Sequence, residues 1–380
     1  MANPEKHRCI ARLRKKYAAA NRKEKTKILD SVCLAFACHR KDAIRALRPS
    51  DAPRPPGKTG RPPVYGDDAM LRALKKLYLL ADQPCSKRFV ALIPLWLPAL
   101  EKREPLAPEI RDALLRASAA TIDRLLAPTR AKKKGGRPSK PGSLLRNVIP
   151  IRTGSEDINK PGFVEVDTVA HCGTSLLGDF AWSLTLSDID SEWTEMRAVW
   201  NKGVHGVLEK IDAIRKILPF ALIALDSDNG SEFINNHLVR YCATEGAPVH
   251  FTRSRPYRKN DQAHVEQKNW THVRQVFGYE RLNRAEYVAL MDAIYQVLGL
   301  LNNYFMPVMK LVSKQRENAK IRKTYDAPKT PCQRLLDSPD VPETTKVLLR
   351  ARLAELDPLT LRDELQNKLR AFWKLVRSKT

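Results

Sequence analysis

The sequence predicts a multidomain protein with an all-α N-terminal region, a central mixed α/β sheet and a basic, mostly helical C-terminal region. Its 380 residues suffice for roughly two to four domains. The net charge of +25 is unevenly placed: residues 1–150 contain 34 Lys and Arg against 13 Asp and Glu, whereas residues 160–250 contain 7 against 13. Near Gly162 the hydrophobic pattern changes from helical to extended. The strongly basic residues 1–150 favour a polyanionic partner, with nucleic acid as the first candidate.

Residues 1–52 are predicted to form a helix-turn-helix DNA-binding domain. The segment from Lys23 to Leu47 shows a helix, a short turn and a second helix, and apolar residues recur at every fourth position of the first helix. The second helix would pack Ala43, Ile44 and Leu47 inward and present cations to a DNA groove. These polar residues are His39, Arg40, Lys41 and Arg45. A basic surface helix in any small bundle would show the same pattern.

Two basic linkers rich in Pro and Gly, residues 53–66 and 131–159, flank a second helical DNA-binding unit at 67–130. That unit is expected to contain helices from Asp68 to about Leu100, with a basic helix start at Lys87 and Arg88, and a further pair from Pro108 to Ala127 with Ser118 as a cap. Each linker contains Gly-Arg-Pro, at Arg61 and Arg137, which resembles the AT-hook that places Arg in a narrow minor groove. The same tripeptide also occurs in solvated linkers, where flanking lysines would contact phosphates.

Residues 160–305 are predicted to form an α/β domain. The runs FVEVDTVAH, FAWSLTLSDI and WTEMRAVW indicate three neighbouring strands, and a helix, a strand, a helix, a short strand and a last helix follow them. Three consecutive hairpin-connected strands favour a mixed sheet over a fully parallel one. Residues 306–380 then form a basic C-terminal region, which is expected to contain a basic loop and two helices, the last capped by Asp357.

Three acids of the α/β domain are candidates for a metal site. Asp167 lies in the first strand on the face opposite Val166, Asp228 ends the apolar strand, and Glu266 lies early in the last helix. Carboxylates brought together from separate elements suit Mg²⁺, which prefers oxygen ligands supplemented by water and phosphate. Asp226 competes with Asp228 because residues two apart on a strand share a face. Glu165 is a weaker candidate on the face of Asp167.

These acids lie in motifs that resemble those of the DDE integrase and transposase superfamily. The run from Asp228 to Phe233, DNGSEF, resembles the D-N-G-x-E-F element, and QAHVEQKN, from Gln262 to Asn269, resembles the Q-G-x-x-E-x-x-N helix. The run SRPY at 254–257 resembles the approach to that helix. Sixty residues separate the first two acids of the triad and thirty-seven the last two, close to the family's spacing. The resemblance covers residues 160 to about 305, and Ala263 stands where family members commonly have Gly.

The resemblance implies an RNase H-like fold with a mixed five-stranded sheet. It also implies two Mg²⁺ or Mn²⁺ ions on Asp167, Asp228 and Glu266, in-line attack on DNA phosphodiesters by water and then by a 3′-hydroxyl, and no covalent protein intermediate. Side chains expected to contact DNA around this site are Arg253, Arg255, Arg258, Lys259, Gln262, Lys268 and Asn269.

The resulting hypothesis is a transposase that cuts and joins DNA at insertion-sequence ends. Its partners would be double-stranded DNA, namely terminal repeats and target, and further copies of the chain, since two DNA ends must be held together. A catalytically inactive DNA-binding regulator and a nuclease that cuts without joining remain alternatives, and the need for a helper ATPase is open. Seven scattered cysteines without a C-x-x-C pair argue against disulfides and zinc, and no apolar run predicts a membrane span, so a cytoplasmic, nucleoid-associated protein is expected.

Overall fold

The computed structural model describes residues 4–48, 65, 67–131, 160–227, 236–243, 248–253, 263–317 and 320–378. The chain divides into two compact units, residues 1–64 and 65–380. Among the described residues, no helix combines the length and apolar character needed to cross a membrane.

The first unit consists of three helices around a small apolar core. The helices are α1 (Pro4–Ala19), α2 (Arg22–Phe36) and α3 (Arg40–Leu47). Asn21 and Glu24 form a capping box that begins α2, and Ala37 ends it with a left-handed backbone (φ 43°). The core contains Ile10, Leu29, Val32, Ala43 and Leu47. The two helices expected between Lys23 and Leu47 are present as α2 and α3, whereas α1 was not predicted because its sequence is largely charged.

The second unit contains a mixed five-stranded sheet. Its strands are β1 (Phe163–Ala170), β2 (Ala181–Asp188), β3 (Thr194–Trp200), β4 (Ala224–Ser227) and β5 (His250–Arg253). The strand order is β3-β2-β1-β4-β5, with β1 to β3 antiparallel and β1, β4 and β5 parallel. The three predicted neighbouring strands and the mixed sheet are thus confirmed, and this arrangement is that of an RNase H-like core.

Helices cover both faces of the sheet. They are α8 (Val204–Arg215), α9 (Asn236–Cys242), α10 (Ala263–Lys268), a π segment (Asn269–Arg274), α11 (Gln275–Phe277) and α12 (Glu286–Phe305). Val164 and Val166 pack with α8 and α9 on one face. Val169 belongs to the core on the other face, where α12 packs. Strand alternation therefore directs Glu165 and Asp167 toward the second face.

The helices of residues 67–130 share a core with the rest of the second unit, although the sequence suggested a separate DNA-binding unit there. They are α4 (Asp68–Leu80), α5 (Ser86–Arg103), α6 (Pro108–Arg116) and α7 (Ala119–Ala131). Buried residues of α5 and α12 belong to one cluster, and Trp96 Nε1 donates a hydrogen bond to the Phe305 carbonyl at 3.1 Å. The same core contains buried residues of three C-terminal helices. These are α13 (Pro331–Asp337), α14 (Glu343–Glu355) and α15 (Pro358–Ser378).

The C-terminal region differs from its prediction in two elements, a hairpin in place of a loop and a third helix, α13. The expected basic loop is an antiparallel hairpin of β6 (Leu311–Glu317) and β7 (Lys320–Tyr325). Frequent charges hid the alternation that a half-buried strand shows, because neither side of this hairpin needs to be apolar. Asp357 accepts a hydrogen bond from the Thr360 amide at 2.8 Å, so the predicted cap of the last helix is confirmed.

Candidate active site

Acidic side chains from two parallel strands lie together on the face of the sheet that α10 covers. Glu165 of β1 and Asp226 of β4 are register partners. Thr252 of β5 is the register partner of Asp226, and its hydroxyl donates a hydrogen bond to Asp226 Oδ1 at 2.6 Å. The prediction that Glu165 and Asp167 share a face is confirmed, since Val164 and Val166 pack on the other face.

Glu165 is only 2% exposed, although it carries a titratable carboxyl group. Burial raises its pKa to about 7; His264 and the hydrogen bond from the Val265 amide oppose this shift, and the neighbouring carboxylates of Asp226 and Glu192 add to it. The Val265 amide donates to Glu165 Oε2 at 2.9 Å. Glu165 therefore joins the sheet to the helix that carries Glu266.

Asp167 is held in a defined orientation by two donors. Its Oδ1 accepts a hydrogen bond from the Thr168 amide at 2.7 Å, and its Oδ2 accepts one from Asn269 Nδ2 at 2.6 Å. Two buried oxygens near this carboxylate have no hydrogen-bond partner in the part of the chain that the structure describes. They are Oδ1 of Asn269 and Oγ1 of Thr185, the register partner of Asp167 on β2.

Glu266 lies on α10 beside the residues that bind the sheet. Val265, Asn269 and Val273 are buried at fourfold spacing, whereas Glu266 is exposed. The helix changes to π geometry at Asn269, directly after the turn that carries Glu266, and such insertions are frequent at functional sites. Trp270 is 48% exposed. Val265, Asn269 and Val273 already occupy the buried side of this segment.

A buried ionic cluster ties α10 to the turn between β2 and β3. Glu192 in that turn accepts from Lys268 Nζ and from His264 Nδ1, each at 2.9 Å. Burial raises the pKa of Glu192, but Lys268 and His264 more than offset this effect, so the net pKa lies below the ordinary value. Partnership with Glu192 and Glu165 raises the pKa of His264 against the effect of its burial.

Two residues predicted to contact DNA have other roles in this structure. Lys268 is only 4% exposed and is ion-paired with Glu192, and Asn269 is buried and donates to Asp167. Both predictions are therefore corrected, because these side chains face the sheet and not solvent. Glu192 and Thr185 were not predicted to belong to the site. No local pattern identifies them, since their partners lie far away in the sequence.

The remaining predicted residues differ in exposure and in their partners, and some of them lie outside the described residues. Lys41, Arg45 and Lys87 are exposed, and Arg45 lies 3.3 Å from Asp42. Arg40 is exposed and paired with Asp30, whereas Arg88 is half-buried and its Nε donates to the Pro307 carbonyl at 2.5 Å. For Arg253 only its place in β5 is described. The following lie outside the described residues: Arg61, Arg137, Asp228, Arg255, Arg258, Lys259 and Gln262.

His171, directly after β1, is a buried part of the core that supports this strand. Its Nε2 lies 2.7 Å from the Ser183 hydroxyl, and its ring packs edge-on against Phe277. Burial lowers its pKa to about 3. Its neutral imidazole thus packs like a core side chain directly after the strand that carries Asp167.

The donor set near Asp167 suits a hard, hydrated cation. Within the described ranges, which do not include Asp228, no three His, Cys, Asp or Glu side chains lie close enough together to hold a metal ion. Carboxylate oxygens predominate on this face, and the buried oxygens of Thr185 and Asn269 suit the water shell that Mg²⁺ retains. The residues present therefore fit the divalent cation that the predicted triad requires.

The strand order and strand directions are those of an RNase H-like core, and Glu165 and Asp226 lie side by side on one face of its sheet. No family model matches the chain. Over 324 residues it is 43% identical to the uncharacterized protein y4rM of Sinorhizobium fredii (strain NBRC 101917 / NGR234), an alignment that spans 84% of this chain and 91% of y4rM. The chain therefore belongs to the same family as y4rM. Among solved structures it is similar to the catalytic core domain of BIV integrase, at 15% identity and a TM-score of 0.29, over 37% of this chain and 83% of that domain.

Proposed function

We propose that this protein is a transposase of the DDE type, which cuts DNA strands and joins them to a target. The observation that carries the proposal is the packing of the Glu266 helix against the strand of Asp167 through Asn269 and Glu165. The chain thereby brings a carboxylate-bearing strand and a carboxylate-bearing helix to one face of an RNase H-like sheet. Asp228 completes the proposed triad from the sequence resemblance.

The residues of the site support phosphoryl transfer by binding and positioning. Asp167, Asp228 and Glu266 would hold Mg²⁺ or Mn²⁺, which when bound activates the attacking oxygen and stabilises the leaving one. Asn269 and the Thr168 amide orient the Asp167 carboxylate before any ligand arrives. The Glu192 cluster holds the helix of Glu266 at the sheet, so the acids are preorganised by contacts outside the triad.

Charge and the first unit support DNA as the substrate. The net charge of +25 suits a polyanion, and α2 and α3 are joined by a three-residue turn as in helix-turn-helix domains. Lys41 and Arg45 are exposed on α3 and would contact the duplex. Two element ends must be joined to one target, so a homo-oligomer assembles on DNA, and the protein acts where chromosomal DNA lies, in the cytoplasm at the nucleoid.

The proposal is tested by strand cleavage and strand transfer on duplexes that carry the terminal repeats flanking the gene. Wild-type protein is compared with Asp167→Asn, Asp228→Asn and Glu266→Gln in Mg²⁺, in Mn²⁺ and in EDTA. We expect metal-dependent joining that each substitution reduces by at least about a thousandfold, while DNA binding persists, because an intact triad is needed for metal chemistry. Glu280→Gln, at an exposed acid beyond the helix, is the matched control.

The outcomes separate the competing functions. DNA binding without cleavage by the wild type would leave a regulator and refute the enzyme. Cleavage without joining would identify a nuclease. If Asp226→Asn abolishes joining and Asp228→Asn does not, the triad contains Asp226 of β4 in place of Asp228.

A further inference from the structure

In the hairpin of β6 and β7, here termed the basic ribbon (residues 311–325), most of the side chains that the structure describes are exposed, and they lie on both faces. All side chains from Ile321 to Tyr325 are exposed, and so are Leu311 and Val312 on the other strand. An isolated two-stranded ribbon is marginally stable in water. An element of this kind with neither face covered therefore calls for a partner.

The charges of the basic ribbon indicate the chemistry of that partner. Five of its residues are cationic and one is acidic: Lys314, Arg316, Lys320, Arg322 and Lys323 against Glu317. Lys314 and Lys323 are register partners, and like charges at directly opposed positions destabilise a hairpin. Arg322 and Lys323 are consecutive, so they lie on opposite faces. The ribbon therefore carries cationic side chains on both of its faces.

The base of the basic ribbon is attached close to the candidate active site. Lys310 Nζ donates to the carbonyl of Asp190 at 2.6 Å and to its Oδ1 at 3.0 Å. Asp326 directly follows β7 and also lies at the base of the ribbon. Its carboxylate accepts hydrogen bonds from the Lys310 amide and from Arg334 Nη1, each at 2.7 Å. Asp190 lies two residues before Glu192, which holds the helix of Glu266. The β2–β3 turn thus contacts both the base of the ribbon and the helix that carries Glu266.

We propose that the basic ribbon enters the major groove of duplex DNA and holds it for the active site. A two-stranded ribbon fits this groove, which is about 12 Å wide, and seven strand residues extend over roughly 20 Å. Phosphates line both walls of a groove, so they neutralise cations on both faces, whereas a membrane surface would meet one face only. Exposed Ile321 and Tyr325 contact sugars and base edges between the cations. The inference rests on the proposed function in that DNA is the substrate.

The test uses the full chain and a short mixed-sequence duplex in EDTA, so that binding is measured without cleavage. Fluorescence anisotropy over a range of salt compares wild type with the variant Arg316→Gln/Arg322→Gln/Lys323→Gln. Lys102→Gln/Arg350→Gln/Arg352→Gln removes the same charge from exposed positions on α5 and α14. We expect about tenfold weaker binding for the ribbon variant and a salt slope smaller by about 2 to 3, with little change for the control.

Each outcome decides the assignment. Equal binding by the ribbon and control variants, with wild type binding tightly, overturns the ribbon and leaves the proposed function standing. A wild type that binds no duplex refutes both. The same measurement is made with duplex RNA. If the ribbon variant loses binding to duplex RNA but keeps its binding to duplex DNA, DNA is not the partner of the ribbon. A photo-crosslinker at exposed Val312, which leaves the cations intact, should label the duplex even if the triple variant misfolds, and absence of DNA labelling there overturns the inference.

Discussion

Glu165 shows how one buried side chain links folding to the chemistry of the site. Its carboxyl group is enclosed between β1, β4 and α10, where it accepts the Val265 amide. Burial, with Asp226 and Glu192 nearby, raises its pKa to about 7. A raised pKa of an acid means that the folded state binds a proton that the unfolded state has released. Stability therefore falls as the pH rises from the ordinary Glu value of 4.5 to about 7.

Glu165→Gln should remove this pH dependence. The shift corresponds to about 3 kcal/mol, so the variant should gain about that much unfolding free energy relative to wild type between pH 5 and pH 7.5. Glutamine retains an oxygen for the Val265 amide and carries no charge to desolvate. Urea unfolding of both proteins at several pH values, without divalent metal, measures the difference. A constant difference across that range would show that Glu165 does not titrate there.

At the scale of elements, α10 and the π segment that continues it are positioned by contacts from two parts of the sheet, β1 and the β2–β3 turn. Glu165 and Asp167 of β1 bind its Val265 amide and the Asn269 side chain, and Glu192 of the β2–β3 turn binds Lys268 and His264. The ionic contact is buried at both ends, with side-chain exposures of 5% for Lys268 and 9% for Glu192. Breaking one such partner leaves the other charge without compensation.

Glu192→Gln should destabilise the protein by about 3 to 5 kcal/mol near pH 7 and slow strand joining while DNA binding persists. Glu192 has a lowered pKa, so its contribution is present above the ordinary Glu range and is lost as the pH falls below it. Denaturant unfolding at several pH values and single-turnover joining rates measure the two effects.

The double variant Glu192→Gln/Lys268→Met serves as the control, because it removes both charges. We expect it to recover most of the stability. If it is no more stable than Glu192→Gln, the buried ion pair is not what holds α10 in place.

At the scale of the whole molecule, residues 65–380 form one unit. Its core contains residues from helices that precede the sheet in the sequence and from helices that follow it. Phe372 of α15 is 1% exposed and packs edge-on against Phe277 and Tyr287, with ring centroids 5.3 and 5.7 Å apart. Arg362 of α15 is also paired with Asp82 in the turn before α5. The C-terminal helix therefore supports both α4–α7 and the segment that follows the active-site helix.

Phe372→Ala should destabilise the sheet and α4–α7 together, by about 3 to 5 kcal/mol, because the cavity opens in a core that they share. Hydrogen exchange followed along the chain should show loss of protection in both regions. Leu348→Ala, at a 70% exposed position of α14, is the control and should change stability by less than about 0.5 kcal/mol. Loss of protection confined to α15 would show that these elements unfold independently.

The sequence by itself determined the order of strands and helices in the central domain and the face of β1 that carries Glu165 and Asp167, because hydrophobic periodicity is a local property. Only the tertiary structure decided that Lys268 is buried, that Trp270 is exposed and that α4–α7 belong to the same core as α12. Periodicity shows which side of an element is buried but not what covers it. The burial of a charge depends on a partner such as Glu192, 76 residues from Lys268, and that pairing exists only once the chain has folded.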